Sequence, residues 1–155
     1  MTHKELVKKA VLYLNNRKKC TVVINELKSI HTSEEPDALG FKGGVSTLIE
    51  VKISRSDFNT DKKKPFRRDP SRGMGNLRYY LAPVRTLTSD DLPPNWGLIE
   101  YYESGQFRES VKAEFIDDDK VNKRAEVALL SAAIRRLKLS TCVFVERGEG
   151  DDIVS

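Results

Sequence analysis

Residues 34–54 read EEPDALGFKGGVSTLIEVKIS and contain two predicted strands joined by a tight turn. Asp37 opens the first strand, and Lys42-Gly43-Gly44 supplies a turn that tolerates positive φ. In the second strand, alternation sends the side chains of Glu50 and Lys52 to the same face. A hairpin closed at the glycines would bring Asp37 beside Glu50. The stretch therefore predicts that two carboxylates and an ammonium group meet at one end of a sheet.

The rest of the chain predicts helices packed on that sheet. Thr2 and Glu5 form a capping box that begins an amphipathic N-terminal helix. We predict strands at 21–27, 37–41, 46–53, 77–83 and 97–102, a short helix over 54–64, a loop over 66–76 and a long helix over 119–139. Residues 142–145 form either a last strand or an element outside the core. This order predicts an α/β domain with a central mixed β-sheet flanked by α-helices.

Length and composition indicate one domain, residues 1–155. A chain of 155 residues with 39% apolar residues can bury a single core. The apolar runs are only strand-sized, so none can span a bilayer, and the first residues are not followed by the apolar region of a secretory signal. We expect a soluble, intracellular, cytoplasmic protein with no membrane partner.

Cysteine and histidine usage excludes several kinds of site. Cys20 and Cys142 lie far apart and form no C-x-x-C pair, which argues against zinc fingers and thioredoxin-like chemistry. His3 and His31 have no partner at metal-ligand spacing, so both are interpreted as solvated surface residues.

The positive charge is concentrated in one window. Residues 62–85 contain eight Lys or Arg and a single acid, Asp69, although the whole chain has a net charge of only +4. Such a window is typical of a surface that faces a polyanion. The alternative is a solvated, flexible basic loop.

The acids and the lysine suit metal-dependent hydrolysis of a phosphodiester. A hard cation such as Mg²⁺ takes oxygen ligands, and Asp37 and Glu50 are candidates, with the backbone carbonyl of Val51 as a further ligand. Lys52 would orient or deprotonate the attacking water, or stabilise the phosphate. E-x-K is also common on solvated strand faces. Here the neighbours of the motif are apolar, and unpaired ions are costly in a buried strand, which favours a functional site.

Beyond this local motif, an ordered set of residues resembles a known family. The set comprises Glu26, Pro36-Asp37, 48–54, Asp57-Phe58, Asp61, Lys64, 79–83, 96–99, 124–126 and 135–137. This order resembles the MmcB-like branch of the PD-(D/E)XK nuclease superfamily and related phage nuclease-like proteins. The resemblance covers about residues 5–139, leaving 140–155 as a C-terminal extension, and implies a restriction-endonuclease-like core.

The resemblance also implies roles for individual residues. It makes Asp37 and Glu50 the metal ligands, with Mg²⁺ or Mn²⁺ as the cofactor, and Lys52 the catalytic lysine. Glu26 would help to position the metal or its waters, unless it is simply an exposed strand acid.

Other matching positions are given structural roles. We expect Ser54, Asp57 and Asp61 to cap and pack a helix. Tyr79 and Tyr80 alternate faces, so at most one of them can face substrate, and core packing is favoured for both.

The connection over 62–75 departs from the family because it is longer and more basic. We expect seven residues there and just after it to contact nucleic acid: Lys62, Lys63, Lys64, Arg67, Arg68, Arg72 and Arg78. No module that reads base sequence accompanies them. The leading hypothesis is a DNA nuclease directed by substrate structure or backbone, acting in DNA repair, recombination or phage DNA metabolism. The alternative is a nuclease-fold protein without useful turnover that binds nucleic acid or a host factor.

Two further points stay open at the level of sequence. A coincidental motif in an unrelated intracellular protein is a third hypothesis. Dimers are common in the superfamily, which makes a homodimer one expected partner arrangement, but the sequence identifies no interface.

Overall fold

The computed structural model describes residues 1–29 and 34–138, which build a six-stranded mixed sheet with helices on both faces. The strands are β1 (Val22–Asn25), β2 (Ala38–Lys42), β3 (Val45–Val51), β4 (Leu77–Pro83), β5 (Gly97–Tyr101) and β6 (Phe107–Val111). The helices are α1 (His3–Asn16), α2 (Arg55–Asp61), α3 (Pro65–Arg68) and α4 (Lys123–Arg136). Short 3₁₀ turns cover Pro70–Arg72, Ser89–Asp91 and Asp118–Lys120. The predicted α/β class, with a mixed sheet flanked by helices, is confirmed.

The strands lie in the sheet in chain order. The first three form an antiparallel meander, β4 pairs parallel with β3, β5 pairs parallel with β4, and β6 closes the sheet antiparallel to β5. A parallel pair requires a crossover connection. The chain between β3 and β4 forms α2 and α3, and it crosses the same face as α4. The carboxyl ends of β3 and β4 therefore lie side by side beneath α2 and α3.

One face of the sheet is covered by α1. Thr2 and Glu5 form the predicted capping box, with Thr2 Oγ1 accepting from the Glu5 backbone and the Glu5 carboxylate accepting from the Thr2 backbone. The buried stripe of α1, at helical spacing, includes Leu6, Ala10 and Leu14, and it packs in one core with sheet residues. Those sheet residues are Ala38, Ile49, Val51, Tyr79, Leu81 and Ile99.

A second core lies on the opposite face, beneath α2 and α4. Phe58 of α2 packs edge-on against the Tyr80 ring, with 5.0 Å between centroids, and Trp96 stacks on the other side of that ring at 4.4 Å. Leu129 of α4 belongs to the same core. Alternation along β3 sends Leu48 into this core, so the side chains of Glu50 and Lys52 emerge on the α2 face as well.

Several predicted boundaries differ from the structure. The segment expected to be a loop over 66–76 contains α3 and a 3₁₀ turn, because Pro65 supplies the fixed φ that begins a helix. Strand β6 was not predicted: its sequence FRESV is apolar only at its ends, and its three middle residues are exposed. The last helix begins at Lys123 instead of 119, after a separate 3₁₀ turn.

Some predictions concern residues outside the described ranges. These are the element expected at 142–145, the extension 140–155, and the residues His31 and Cys142. Within 1–29 and 34–138, no helix is both long and apolar enough to cross a membrane.

Candidate active site

The pairing of β2 with β3 brings Asp37 to the end of the Glu50-containing strand. Ala38 pairs with Ile49, so Asp37, one residue earlier, lies next to Glu50. Asp37 Oδ2 accepts a hydrogen bond of 2.7 Å from the Val51 backbone N–H. This bond fixes the Asp37 carboxylate against the Glu50-Val51-Lys52 segment.

Lys52 lies between two carboxylates. Its Nζ is 3.7 Å from Glu50 Oε2 on its own strand and 3.4 Å from Asp61 Oδ1 at the end of α2. Asp61 also accepts a hydrogen bond of 2.8 Å from the Tyr80 hydroxyl and pairs with Lys64 at 2.9 Å. The structure thus joins Asp61, for which we expected a capping and packing role, directly to the predicted catalytic lysine.

Arg67 of α3 connects three acids through its guanidinium group. Its Nε donates to Asp61 Oδ2 at 2.8 Å, Nη1 donates to Glu34 Oε1 at 2.9 Å, and Nη2 lies 3.2 Å from Glu50 Oε1. Glu34 Oε2 in turn accepts from the Met74 backbone at 2.9 Å. We call Glu34, Glu50, Lys52, Asp61 and Arg67 the buried ionic cluster.

The buried ionic cluster is closed to solvent in this conformation. No side chain in it is more than 5% exposed. It contains three carboxylates and two cations, and Lys64 at its edge, 2.9 Å from Asp61 Oδ1, supplies a third positive charge.

Burial raises the pKa of Glu50 to about 8, and the negative charge of Asp37 adds to this shift, while Arg67 and Lys52 oppose it. Burial also opposes ionisation of Asp61, but Arg67 and Lys52 outweigh it and hold the pKa of that carboxyl well below its usual range. The two acids differ in their bonds. Asp61 Oδ2 accepts hydrogen bonds from Arg67 and Tyr80, and its Oδ1 has only ion-pair contacts with Lys52 and Lys64; Glu50 Oε1 likewise has no hydrogen-bond partner among the described residues.

Two further residues surround Asp37. His3, at the start of α1, has Nε2 3.3 Å from Asp37 Oδ1 and Nδ1 3.8 Å from Glu26 Oε1. With its side chain 41% exposed, His3 is the surface residue that we expected, and it also contacts these two carboxylates. The Glu26 side chain is 42% exposed and follows β1, on the side of Asp37 away from Lys52. Glu26 thus neighbours Asp37 without belonging to the buried ionic cluster.

The donor set at this sheet end fits a hard divalent cation. Asp37 and Glu50 offer carboxylate oxygens from adjacent strands, and Mg²⁺ is commonly held by one or two carboxylates with water completing the shell. Within 1–29 and 34–138, no group of three or more His, Cys, Asp or Glu side chains is arranged to hold a metal ion. A cation here would rely on Asp37, Glu50 and the Val51 carbonyl, at a place where Arg67 now supplies the positive charge.

The basic residues predicted to contact nucleic acid fall into two groups. Lys62, Lys63, Lys64, Arg68 and Arg72 lie on the surface, with Lys64 half-buried against Asp61. The side chain of Arg67 belongs to the buried ionic cluster. Arg78 is also buried, donating to the carbonyls of Pro70, Gly73 and Gly75 at 2.8–3.0 Å. In this conformation only the first group can meet a polyanion.

Sequence reasoning missed Glu34 as a member of the site and gave Arg67 a different role. No local spacing links Glu34, before β2, to Arg67, 33 residues later. The position of Tyr80 near the site could have been predicted from strand pairing, because β4 pairs parallel with β3 and sets Tyr80 opposite Glu50. The other ring of the pair, Tyr79, packs on the α1 face, in agreement with the predicted alternation.

Comparisons with known proteins indicate the fold alone. No family model matches the chain, and no curated protein matches it significantly. Among solved structures, a protein of unknown function from Silicibacter pomeroyi is similar with a TM-score of 0.63 and 19% identity, over 89% of this chain and 90% of the other. The likeness extends over nearly the whole of both chains, and it assigns no activity.

Proposed function

We propose that the protein is a divalent-metal-dependent nuclease that hydrolyses DNA phosphodiester bonds, of the PD-(D/E)XK type. The observation that carries this proposal is the hydrogen bond from the Val51 N–H to Asp37, which holds one carboxylate against the strand that bears Glu50 and Lys52. Glu50 and Lys52 lie at the carboxyl end of β3, which pairs parallel with β4, and ligands of α/β sheets commonly bind at such ends.

Each residue has a defined part in this proposal. Asp37 and Glu50 hold Mg²⁺ or Mn²⁺, which, when bound, supplies an activated water and neutralises charge on the phosphate. Lys52 orients the water and stabilises the phosphate, and Asp61 keeps the lysine ammonium in place at 3.4 Å. Glu26 contacts His3, which contacts Asp37, so Glu26 would help to position the metal or its waters indirectly.

The exposed basic residues beside the cluster support DNA as the substrate. Lys62, Lys63, Arg68 and Arg72 follow α2 directly, on the same side of the sheet as Lys52. Contacts of lysine and arginine with phosphates provide affinity without reading sequence. We therefore propose recognition of backbone or of substrate structure.

A cleavage panel tests the proposal. Purified protein is incubated with Mg²⁺ or Mn²⁺ and single-stranded, duplex, nicked and branched DNA. We expect cleavage of at least one substrate, lost in Asp37→Ala, Glu50→Ala and Lys52→Ala, and retained in Lys112→Ala, an exposed lysine outside the basic connection. Intact DNA in every arm would contradict nuclease activity.

A second candidate function follows from the closed state of the cluster. Every acid in it is already paired with lysine or arginine, as in a scaffold that binds nucleic acid or another macromolecule without turnover. Calorimetry distinguishes the two candidates. Salt-sensitive DNA binding without any Mg²⁺ or Mn²⁺ binding would favour the non-catalytic protein.

A further inference from the structure

Arg67 is held more firmly than a surface residue of a basic loop would be. Its side chain is 3% exposed, its guanidinium contacts Glu34, Glu50 and Asp61, and its central carbon lies 4.7 Å from the centre of the Trp96 ring. A four-residue helix, α3, presents it to the cluster. The neighbouring Arg68 points to solvent.

The contact of Arg67 with Glu50 is the longest of the three and the one without a hydrogen bond. Nη2 and Glu50 Oε1 are 3.2 Å apart, and among the described residues neither buried atom makes a well-formed hydrogen bond. Arg67 therefore places a positive charge beside Glu50 without a hydrogen bond that would fix the two groups together. Glu34 and Asp61 hold the guanidinium in this position.

A divalent cation and the Arg67 guanidinium cannot share Glu50 Oε1 without strong repulsion, since two positive charges at contact distance in a buried site interact unfavourably. A cation that takes Glu50 Oε1 as a ligand therefore has to displace Arg67 from it.

We propose that Arg67 is an internal counter-ion that competes with the divalent cation for Glu50 and keeps the site closed until it is displaced. This inference rests on the proposed function, because it concerns the same metal site. It makes Arg67 a determinant of metal affinity. The coupling is reciprocal: a bound cation weakens the contact of Arg67 with Glu50, and a change that weakens this contact raises the affinity for the cation by the same free energy.

Two pairs of variants test the proposal by calorimetric titration with Mn²⁺. Arg67→Gln removes the competitor, and Arg68→Gln is its matched control on the same helix. Glu34→Gln leaves Arg67 in place but weakens its hold, and Glu35→Gln is its exposed neighbour. We expect Arg67→Gln and Glu34→Gln each to bind Mn²⁺ about tenfold more tightly than the wild type, and the controls to be unchanged.

The Glu34→Gln variant distinguishes competition between Arg67 and the cation from a simple loss of negative charge near the metal site. Removing a carboxylate near the site should weaken cation binding if Arg67 is not a competitor, because the site loses negative charge. Competition predicts the opposite sign. This variant also decides the matter if Arg67→Gln fails to fold.

Trp96 provides a second readout, independent of cleavage. It is the sole tryptophan of the chain, and Arg67 lies over its ring. Mg²⁺ should change Trp96 fluorescence in the wild type as Arg67 moves away, and should leave it unchanged in Arg67→Gln.

The outcomes distinguish the two proposals. If the wild type binds metal and cleaves DNA, but Glu34→Gln binds Mn²⁺ no more tightly and Mg²⁺ does not alter Trp96 fluorescence, the counter-ion inference is wrong and the nuclease proposal stands. If no variant binds Mn²⁺ at all, both are wrong.

Discussion

Glu50 combines a buried environment that disfavours its charge with the role of a candidate metal ligand. Its side chain is 2% exposed and its pKa is raised to about 8. A carboxyl whose pKa is higher in the folded than in the unfolded state binds more protons when folded. It therefore contributes stability that is complete below its unfolded pKa and is lost as the pH rises towards 8.

This sign gives a pH prediction for metal-free protein. Between pH 5.5 and pH 8, Glu50→Gln should gain stability relative to the wild type by on the order of 3 kcal/mol, because glutamine does not ionise. Urea unfolding of both proteins at the two pH values measures the difference. Asp61, whose pKa is lowered, loses its contribution only in acid below its usual pKa, outside this window. A constant difference between the two proteins would contradict the burial of an ionisable Glu50.

Asp61, which we expected to cap and pack a helix, lies instead at the centre of the buried ionic cluster. Its side chain is 1% exposed and contacts Lys52, Lys64, Arg67 and Tyr80. Asp61→Asn should destabilise the protein by roughly 3 to 5 kcal/mol, since it leaves buried cations without their partner. Urea unfolding measures this cost. Asp90→Asn, an exposed control, should change stability by less than about 0.5 kcal/mol, and an equal effect of both substitutions would remove Asp61 from the cluster.

At the scale of elements, the segment between α3 and β4 is fixed by close backbone approach. Gly75 has φ +92°, and a Cβ added there would lie 2.7 Å from Leu48 Cβ on β3. Gly75→Ala should therefore cost roughly 2 to 4 kcal/mol, from backbone strain and a clash with a buried strand. Chemical denaturation measures this loss.

Gly44 in the β2–β3 turn is the matched control for this substitution. A Cβ there meets nothing within 4 Å. Gly44→Ala should change stability by about 0.5 kcal/mol or less. If both alanines were equally tolerated, the segment would not be held against β3 as described.

The elements that could be predicted from sequence are those whose apolar residues follow a period. The apolar stripe of α1 and the apolar runs of β3 and β4 all lie where the pattern indicated. Strand β6 is held by edge pairing with β5 and buries little, so it leaves a weak pattern. In α3, a proline begins a helix within a run of charged residues that is otherwise typical of a loop.

The candidate site could be predicted only where its residues are local in sequence. Glu50 and Lys52 share a strand face, and Asp37 reaches them through one hairpin, so the strand pattern was enough to place these three residues together, while their metal and catalytic roles stay predictions. Arg67 could not be assigned because its three partners come from the chain before β2, from β3 and from α2. From sequence alone, an arginine in a basic window is predicted to be a surface residue, and only the tertiary structure shows that Arg67 contacts buried acids.

At the scale of the whole molecule, the sheet separates the α1 face from an opposite face that carries the candidate site. The α1 face forms an apolar core whose polar rim includes Lys18 and Glu109. The opposite face carries the buried ionic cluster at one end and a second polar network at the other. In that network Glu126 of α4 accepts from the Ser46 hydroxyl at 2.6 Å and from the Gly75 backbone at 2.9 Å. The connection from α2 to β4 is thus tied to the sheet at both ends, with its exposed cations between them.

That arrangement predicts how DNA binding should depend on salt. Neutralising Lys63 and Arg68 together, as Lys63→Gln/Arg68→Gln, removes two exposed cations beside the cluster without touching its ion pairs. The slope of log affinity against log salt concentration should become shallower by about 2, because each lost phosphate contact releases roughly one counterion fewer. Fluorescence anisotropy with duplex DNA across a salt series, without divalent metal, measures the slope. Lys112→Gln/Lys120→Gln, two exposed lysines outside this connection, should keep the wild-type slope. Equal slopes for the two double variants would mean that DNA does not lie over the α2–β4 connection, and substrate would have to approach Lys52 from another side of the sheet.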